Sequence, residues 1–431
     1  MEKMELTIEE VKSCLDKTEK GGIVSSIGNC VKILSVDPVM AGAIKYNIMT
    51  ERIDVVKNIG REKMTPVLTD TDINFVILYF EQNYGINNRK NIVSALDIVS
   101  DRNRYHPVRD ILNTLVWDGE ERIRYCLHHF LGAEQNDYVY EVFRLFLLGA
   151  ISRVFHPGCK FDYMLCLVGG QGAGKSTLFR LLSLEDEYFT DDLKRIDDEK
   201  IYSKLQGHWV IEMSEMLAMV NAKSVEELKS FISRTKEIYR TPYATQPQDR
   251  LRQCVFAGTT NSLDFLPLDR TGNRRFLPVM CYKEQAEKHI LEDEAYSREY
   301  IRQVWAEAME IFRSGAFSLT LSKTIGEFLM EYQKEYMPED TKAGQIASYL
   351  ENHTVNFVCS MELHYRALGR IDAPQQWELR EIGNIMNNTI VGWQRVNNPR
   401  HTDYGRQKGW ERTSCKDGFI PVPEQMEMPF Q

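Results

Sequence analysis

The sequence predicts an α/β fold: a phosphate-binding core in the middle of the chain, a mostly helical domain before it and a small α+β block after it. Three observations carry that expectation. The apolar run Met164–Val168 leads into Gly169-x4-Gly174-Lys175-Ser176 and then into the helical pattern Thr177–Leu182. Strand, glycine loop, helix is the context in which this motif cradles phosphates. Two later apolar runs, Trp209–Ser214 and Gln253–Thr260, end in polar residues, as buried strands do when they deliver side chains at their tips. Outside this stretch apolar residues recur at helical spacing behind cap signals.

Bulk composition limits the alternatives. The 431 residues suffice for two or three domains, and 43% hydrophobic content supports real cores. A net charge of −9 supplies no global basic field, so any nucleic-acid contact must be local or built by several subunits together. Nine scattered cysteines with no CxxC pair argue against a disulfide framework and a zinc ribbon and fit a reducing cytosol. The N-terminus is polar and acidic, and no apolar run approaches the ~20 residues of a membrane span. The expectation is a cytoplasmic protein with no membrane partner.

Thr7-x-x-Glu10 reads as a capping box opening a helix with Val11, Cys14 and Leu15 on one face. Ala43–Val56 mixes strand and helix signals. A helix from Asp70–Asp72 is expected to bury Phe75, Ile77, Leu78 and Tyr79, and another spans about Arg89 to Ser100. Residues 1–104 thus form a mostly helical domain. Pro107 biases its predecessor away from helix and marks a connector into a helical collar, 105–157, that includes a long amphipathic helix over Asp137–Val154. The core and a helical bridge occupy 158–340, and the last block is 341–431. There Met361–Leu368 and Trp377–Asn388 read as helices, and Ile390 through Trp410 as a strand pair, the outline of a winged-helix module.

The loop residues Gly169, Gly170, Gln171, Gly172, Ala173, Gly174, Lys175, Ser176 and Thr177 are the candidate nucleotide cradle. Its backbone N–H groups face inward, Lys175 reaches the β and γ phosphates, Ser176 ligates Mg²⁺, and the helix N-terminus adds positive potential. ATP hydrolysis also needs a carboxylate on a neighbouring strand and a group that senses the γ-phosphate. Glu212 and Glu215 supply carboxylates, one for Mg²⁺ (assigned to Glu212) and one for the attacking water. Residues three apart on a strand face opposite sides, so both serve only if the strand ends near Glu212. Asn261 is the candidate neutral sensor. Arg274 and Arg275, after a Gly-Asn turn, are placed to reach across a subunit boundary as a finger.

Ser224-x-x-Glu227 caps a helix bearing Leu228, Phe231 and Ile232. Beyond it, Lys236–Tyr243 alternates in period two and turns around Gln246-Pro247-Gln248, which suggests a hairpin. Its basic and aromatic residues Lys236, Arg240, Tyr243, Arg250 and Arg252 suit phosphate contact and base stacking along single-stranded DNA. In the last block five basic residues between Arg395 and Arg412, Arg406 and Lys408 among them, face two acidic ones with Trp393, Tyr404 and Trp410 interleaved, a footprint for duplex DNA.

The order HPVRD, LVWDGEERI, PGCKFDYMLCLVGGQGAGKST, HWVIEMSEM, FAGTTN, GNRRFLPV, VWAEAMEIF resembles the virulence-associated protein E family of phages and genomic islands, over roughly Ile33 to Asp340. That family resembles superfamily 3 helicases, AAA+-like hexameric ATPases of viral replication. The resemblance implies a homo-oligomeric ring with ATP between subunits and a hairpin gripping single-stranded DNA in a central channel. Lys175 and Ser176 match its first motif, Glu212 with Glu215 the second, Asn261 the sensor and Arg274 or Arg275 the finger. Some members carry an N-terminal primase domain; the first hundred residues here hold neither an acidic triad nor zinc ligands for primer synthesis. Three functions follow as expectations to be separated: a DNA-translocating ATPase and replicative helicase, an ATP-dependent regulatory or assembly switch, and a small-molecule P-loop kinase.

Overall fold

The computed structural model describes residues 6–60, 62, 64–193, 201–214, 222–239, 248–268, 273–354 and 356–413. The chain divides into two units, 1–267 with 274–336, and 268–273 with 337–431.

The first unit begins with α1 (Ile8–Ser13), α2 (Ile27–Val36), β1 (Ile44–Asn47), β2 (Arg52–Val55), α3 (Asp70–Tyr84), α4 (Arg89–Arg102) and β3 (Arg104–Tyr105). The Thr7–Glu10 capping box is present, and Val11 and Leu15 are buried, but α1 stops at Ser13 and Cys14 is exposed. The ambiguous stretch 43–56 is an antiparallel hairpin pairing Ile44 with Val55. Helix α3 buries Asp72, Val76, Phe80 and Tyr84, whereas Phe75 and Leu78 are exposed. The sequence offers six apolar residues in a row there (75–80), so periodicity alone leaves the phase open, and the i, i+4 stripe facing the α2–α4 core decides it.

Next come α5 (Pro107–Thr114), α6 (Cys126–Leu131) and α7 (Asp137–Phe155). Fourteen of the nineteen residues of α7 are buried, so it is a wrapped core helix and not the amphipathic one expected. The reason is compositional: Leu145–Ile151 holds no charged residue, and Gly149 leaves room for the Phe161 ring where a Cβ would lie 2.3 Å away.

The core alternates β4 (Met164–Val168), α8 (Lys175–Leu182), β5 (Phe189–Thr190), α9 (Ile201–Leu205), β6 (Val210–Ser214), α10 (Ala222–Ile232), β7 (Lys236–Tyr239), β8 (Gln248–Leu251), β9 (Val255–Thr260) and β10 (Phe276–Met280), followed by α11 (Glu294–Ser314) and α12 (Lys323–Tyr332). Five strands form one parallel sheet in the order β10-β4-β9-β6-β5. Its central strands β4, β9 and β6 are buried almost throughout and mostly apolar, as strands covered on both faces are. Trp209 below β6 and Trp305 of α11 pack with ring centroids 4.5 Å apart, their indole N–H groups donating to Ala150 O and Leu182 O. They tie α7, α8 and α11 to the sheet. The strands β7 and β8 form the expected hairpin.

The second unit contains α13 (Thr341–Glu351), β11 (Phe357–Cys359), the short α14 (Ser360–Glu362) widening into a turn over 363–367, α15 (Gln376–Asn388), β12 (Trp393–Thr402) and β13 (Gly405–Arg412). The strands form an antiparallel sheet in the order β11-β13-β12. Ile346, Leu363, Ile382, Ile385 and Trp410 make its core. Among the described residues, no helix is long and apolar enough to cross a membrane.

Candidate functional site

In a parallel sheet every strand delivers its C-terminal end to the same edge, and ligands bind at that edge where connections diverge. Here the chain leaves β4 through the glycine loop, crosses to the far side of the sheet for β5, and returns through β6 and β9. Gly169 has φ +150°, and its N–H donates to Thr260 O at 3.1 Å. A Cβ there would lie 2.4 Å from the carbonyl oxygen of Cys281, so only glycine lets β4 turn so close to the strand beside it. Gly174, with φ +90°, closes the loop as the N-cap of α8 and has no side chain to compete for the helix N–H groups.

The buried Lys175 side chain folds back over this loop. Its Nζ donates to Gly169 O (2.6 Å), Gly170 O (2.8 Å) and Asn261 Oδ1 (3.0 Å). One helix position on, Ser176 Oγ donates to Glu212 Oε1 at 2.7 Å. Glu212 is fully buried, and burial holds its carboxyl above the usual range against hydrogen bonds from Thr259 and Ser176 that pull it down. Among the described residues its other oxygen, Oε2, is buried without a hydrogen-bond partner. A buried carboxylate oxygen with no donor is costly, and beside a hydroxyl it fits a divalent cation that takes one or two protein oxygens and finds the rest in water and phosphate. Ser176 and Glu212 therefore fit Mg²⁺.

The carboxylate strand is not the neighbour of β4 expected from sequence. β9 lies between them, pairing with both, and its Thr259 hydroxyl donates to Glu212 Oε1. Strand β6 runs two residues past Glu212, to Ser214. Glu215 lies outside the described residues.

Arg274 and Arg275 sit at the opposite edge. They precede β10, whose Phe276 and Met280 pair with Met164 and Val168 of β4. Five strand residues, about 16 Å, separate them from the glycine loop of their own chain. Arg275 is engaged locally, its Nε donating to Ser233 Oγ at 2.9 Å and lying 3.5 Å from Asp162. Arg274 is exposed. The two arginines are thus distinguished by their surroundings, which their adjacency in sequence could not do.

The DNA-contact candidates divide. Lys236 pairs with Asp249 across the hairpin at 2.5 Å and stays half-exposed. Arg240 and Tyr243 lie outside the described residues. Arg250 requires a correction: it is largely buried and ion-paired with Glu51 beyond β1, so it anchors the hairpin root and offers no outward cation. Arg252, also given to the hairpin's basic face, is buried against Glu237 and the Phe231 and Ile232 carbonyls. Strand alternation turns both inward. Arg406 and Lys408 are exposed on β13.

Three contributors escaped sequence reasoning. Thr259 belongs to an apolar strand and is revealed only by its partner across the sheet. His289 accepts from Leu291 N–H through Nδ1 at 3.3 Å, so its Nε2 carries the proton and donates to Gly172 O at 3.2 Å, bracing the loop. The Lys283 ammonium lies 3.8 Å from where a Cβ on Gly172 would stand.

Residues 112–338, just over half of the chain, match the family model of the virulence-associated protein E-like domain. Among solved structures, similarity is found to the apo C-terminal region of NrS-1 at 14% identity, covering 86% of this chain and 96% of that one with a TM-score of 0.45. An A-form structure of the same region gives 13% identity, the same coverage and a TM-score of 0.48. Comparison with curated proteins gives no match.

Proposed function

The chain belongs to the virulence-associated protein E-like family, and from that premise we propose that it is an ATP- and Mg²⁺-dependent ATPase that moves along DNA, a superfamily 3-like helicase acting as a homo-oligomeric ring, most simply a hexamer. The observation that carries this reading is the convergence of Lys175, Ser176, Glu212 and Asn261 at one sheet edge while Arg274 stands exposed at the other.

An incoming triphosphate offers Lys175 anionic acceptors in place of three neutral oxygens, adding the attraction of opposite charges to hydrogen bonds the ammonium already makes. Release of Asn261 Oδ1 from Lys175 leaves the amide to orient the γ-phosphate or the attacking water. Ser176 and Glu212 would hold Mg²⁺, which neutralises charge building on the β and γ oxygens. Arg274, too far to serve its own chain, supplies its guanidinium to the next subunit's γ-phosphate. Opening and closing of that interface would move the 236–250 hairpin, through Lys236, Arg240 and Tyr243, along single-stranded DNA. The second unit, in helix, strand, helix, hairpin order, supports a winged-helix-like block that holds duplex phosphates with Arg406 and Lys408.

The test is ATP turnover with and without single-stranded DNA, together with strand displacement. Stimulation by DNA and displacement by the native protein, both lost in Lys175→Ala with its thermal unfolding unchanged, support the reading. Hydrolysis indifferent to DNA, with no displacement in any assembly state, replaces it with the ATP-dependent assembly switch.

A further inference from the structure

Helix α15 has two faces of opposite character. Ile382, Ile385 and Met386 are buried in the core of the second unit. Gln376, Arg380, Asn384 and Asn387 fall at i, i+4, i+8 and i+11 on the other side and are exposed. Gly383 lies among them with nothing within 4 Å of where a Cβ would stand. These residues line a shallow concavity with Arg395 of β12. A solvated helix face ordinarily carries Glu and Lys; this one carries three amides, a guanidinium and a glycine. The acidic residues of α15 lie elsewhere. Glu378 caps the helix start by accepting from Gln375 N–H, and Glu381 is paired with Lys342 at 2.7 Å.

We propose that this face reads base edges in the major groove of duplex DNA, giving the protein sequence-selective binding separate from translocation. Asn and Gln amides match the donor–acceptor pair of adenine, and Arg matches guanine. Gly383 lets the helix approach closely. The Trp410 indole donates to Asn387 Oδ1 at 2.7 Å, fixing that amide so that its NH₂ serves as the donor. Charge complementarity favours DNA over a protein partner: among the described residues that line the concavity, Arg380 and Arg395 are cationic and none is acidic. Arg400 and Arg366 are spent on Glu411 and Asp403, while Arg380, Arg395, Arg406 and Lys408 make no ion pair among the described residues. The hairpin cations position the duplex by its phosphates, and the helix supplies the choice of sequence.

The inference rests on the DNA reading above but not on the motor, so its test uses no ATP. The full chain is equilibrated with a randomised duplex pool, and the recovered sequences are remeasured by fluorescence anisotropy across salt concentrations. A defined recovered sequence is expected. Arg380→Ala and Asn384→Ala should each lower discrimination at one base pair, by about 5- to 150-fold. Arg406→Ala with Lys408→Ala should weaken all duplexes alike and reduce the salt slope by about two. The thermal unfolding midpoint should be unchanged in every variant, which keeps misfolding separate. Recovery of no preferred duplex, or helix variants that keep the native preference or lose all sequences uniformly, overturns the proposal. Tighter binding to RNA or to single strands than to any duplex does so as well. Loss of the motor reading with selective duplex binding intact would leave this inference standing.

Discussion

Gly169 and Gly170 are adjacent in one loop, yet the structure demands glycine at only one of them. An alanine at position 169 must hold φ near +150° and place its Cβ 2.4 Å from the Cys281 carbonyl oxygen, a backbone atom that cannot rotate away. Holding a non-glycine residue in such a region costs about 1–3 kcal/mol before any overlap is counted. At position 170 nothing lies within 4 Å and φ is not positive. If the loop stays in place, Gly169→Ala should destabilise the fold by at least that amount. If the loop shifts to relieve the overlap, the cradle is displaced and the loss appears instead as weaker nucleotide binding, about 5- to 150-fold for the same energy. Urea unfolding and titration with a fluorescent ATP analogue measure the two parts. Gly170→Ala should change neither by more than a few tenths of a kcal/mol. Equal behaviour of the two variants, in either direction, would refute the loop geometry on which the site depends.

Thr259→Val keeps the side-chain shape but removes a donor to a buried carboxylate, a charge-assisted bond worth about 1.5–3 kcal/mol. It should push Glu212 further toward its protonated form. Because activity requires the carboxylate and is lost as pH falls, the acid limb of the ATPase pH profile should move to higher pH, while Thr259→Ser leaves it in place. His106, buried at the start of α5 and hydrogen-bonded to Gln253, has its pKa lowered to about 4, chiefly by burial. The unfolded chain binds that proton below about 6.5 and the folded one does not, so stability falls as pH drops from 6.5 toward 4 and is intact above that window. Between pH 7 and 5 the loss is about 2 kcal/mol, and urea titrations of His106→Gln should show that part of the pH dependence removed. His289→Ala should leave the fold intact and weaken nucleotide binding several-fold, since Gly172 loses its brace; unchanged affinity in the same fluorescent titration would remove His289 from the site.

What was legible in the sequence was local. The strand–loop–helix order, the Trp209–Ser214 and Val255–Thr260 strands, the hairpin and the Thr7–Glu10 cap all rest on spacing within a few residues. The insertion of β9 between β4 and β6 was not, because strand order depends on contacts made ninety residues apart. Thr259, His289 and Lys283 went unnoticed for the same reason, each acquiring its role only from a partner across the sheet or loop. Arg250 shows the reverse error: basic residues on an alternating strand read as an exposed row, but every second one faces inward, here onto Glu51. In α3 an unbroken apolar run hid the phase of the helix, and only the core around it selects Val76 and Phe80 over Phe75 and Leu78.

In the proposed ring, turnover depends on one subunit completing another's site. Lys175→Ala and Arg274→Ala proteins, each inactive alone, are mixed in equal amounts and their ATP turnover recorded. Random assembly leaves about a quarter of head-to-tail interfaces with both residues, so a comparable fraction of native turnover should return. An Arg274→Ala protein that is fully active alone, or a mixture as dead as its components, would contradict it.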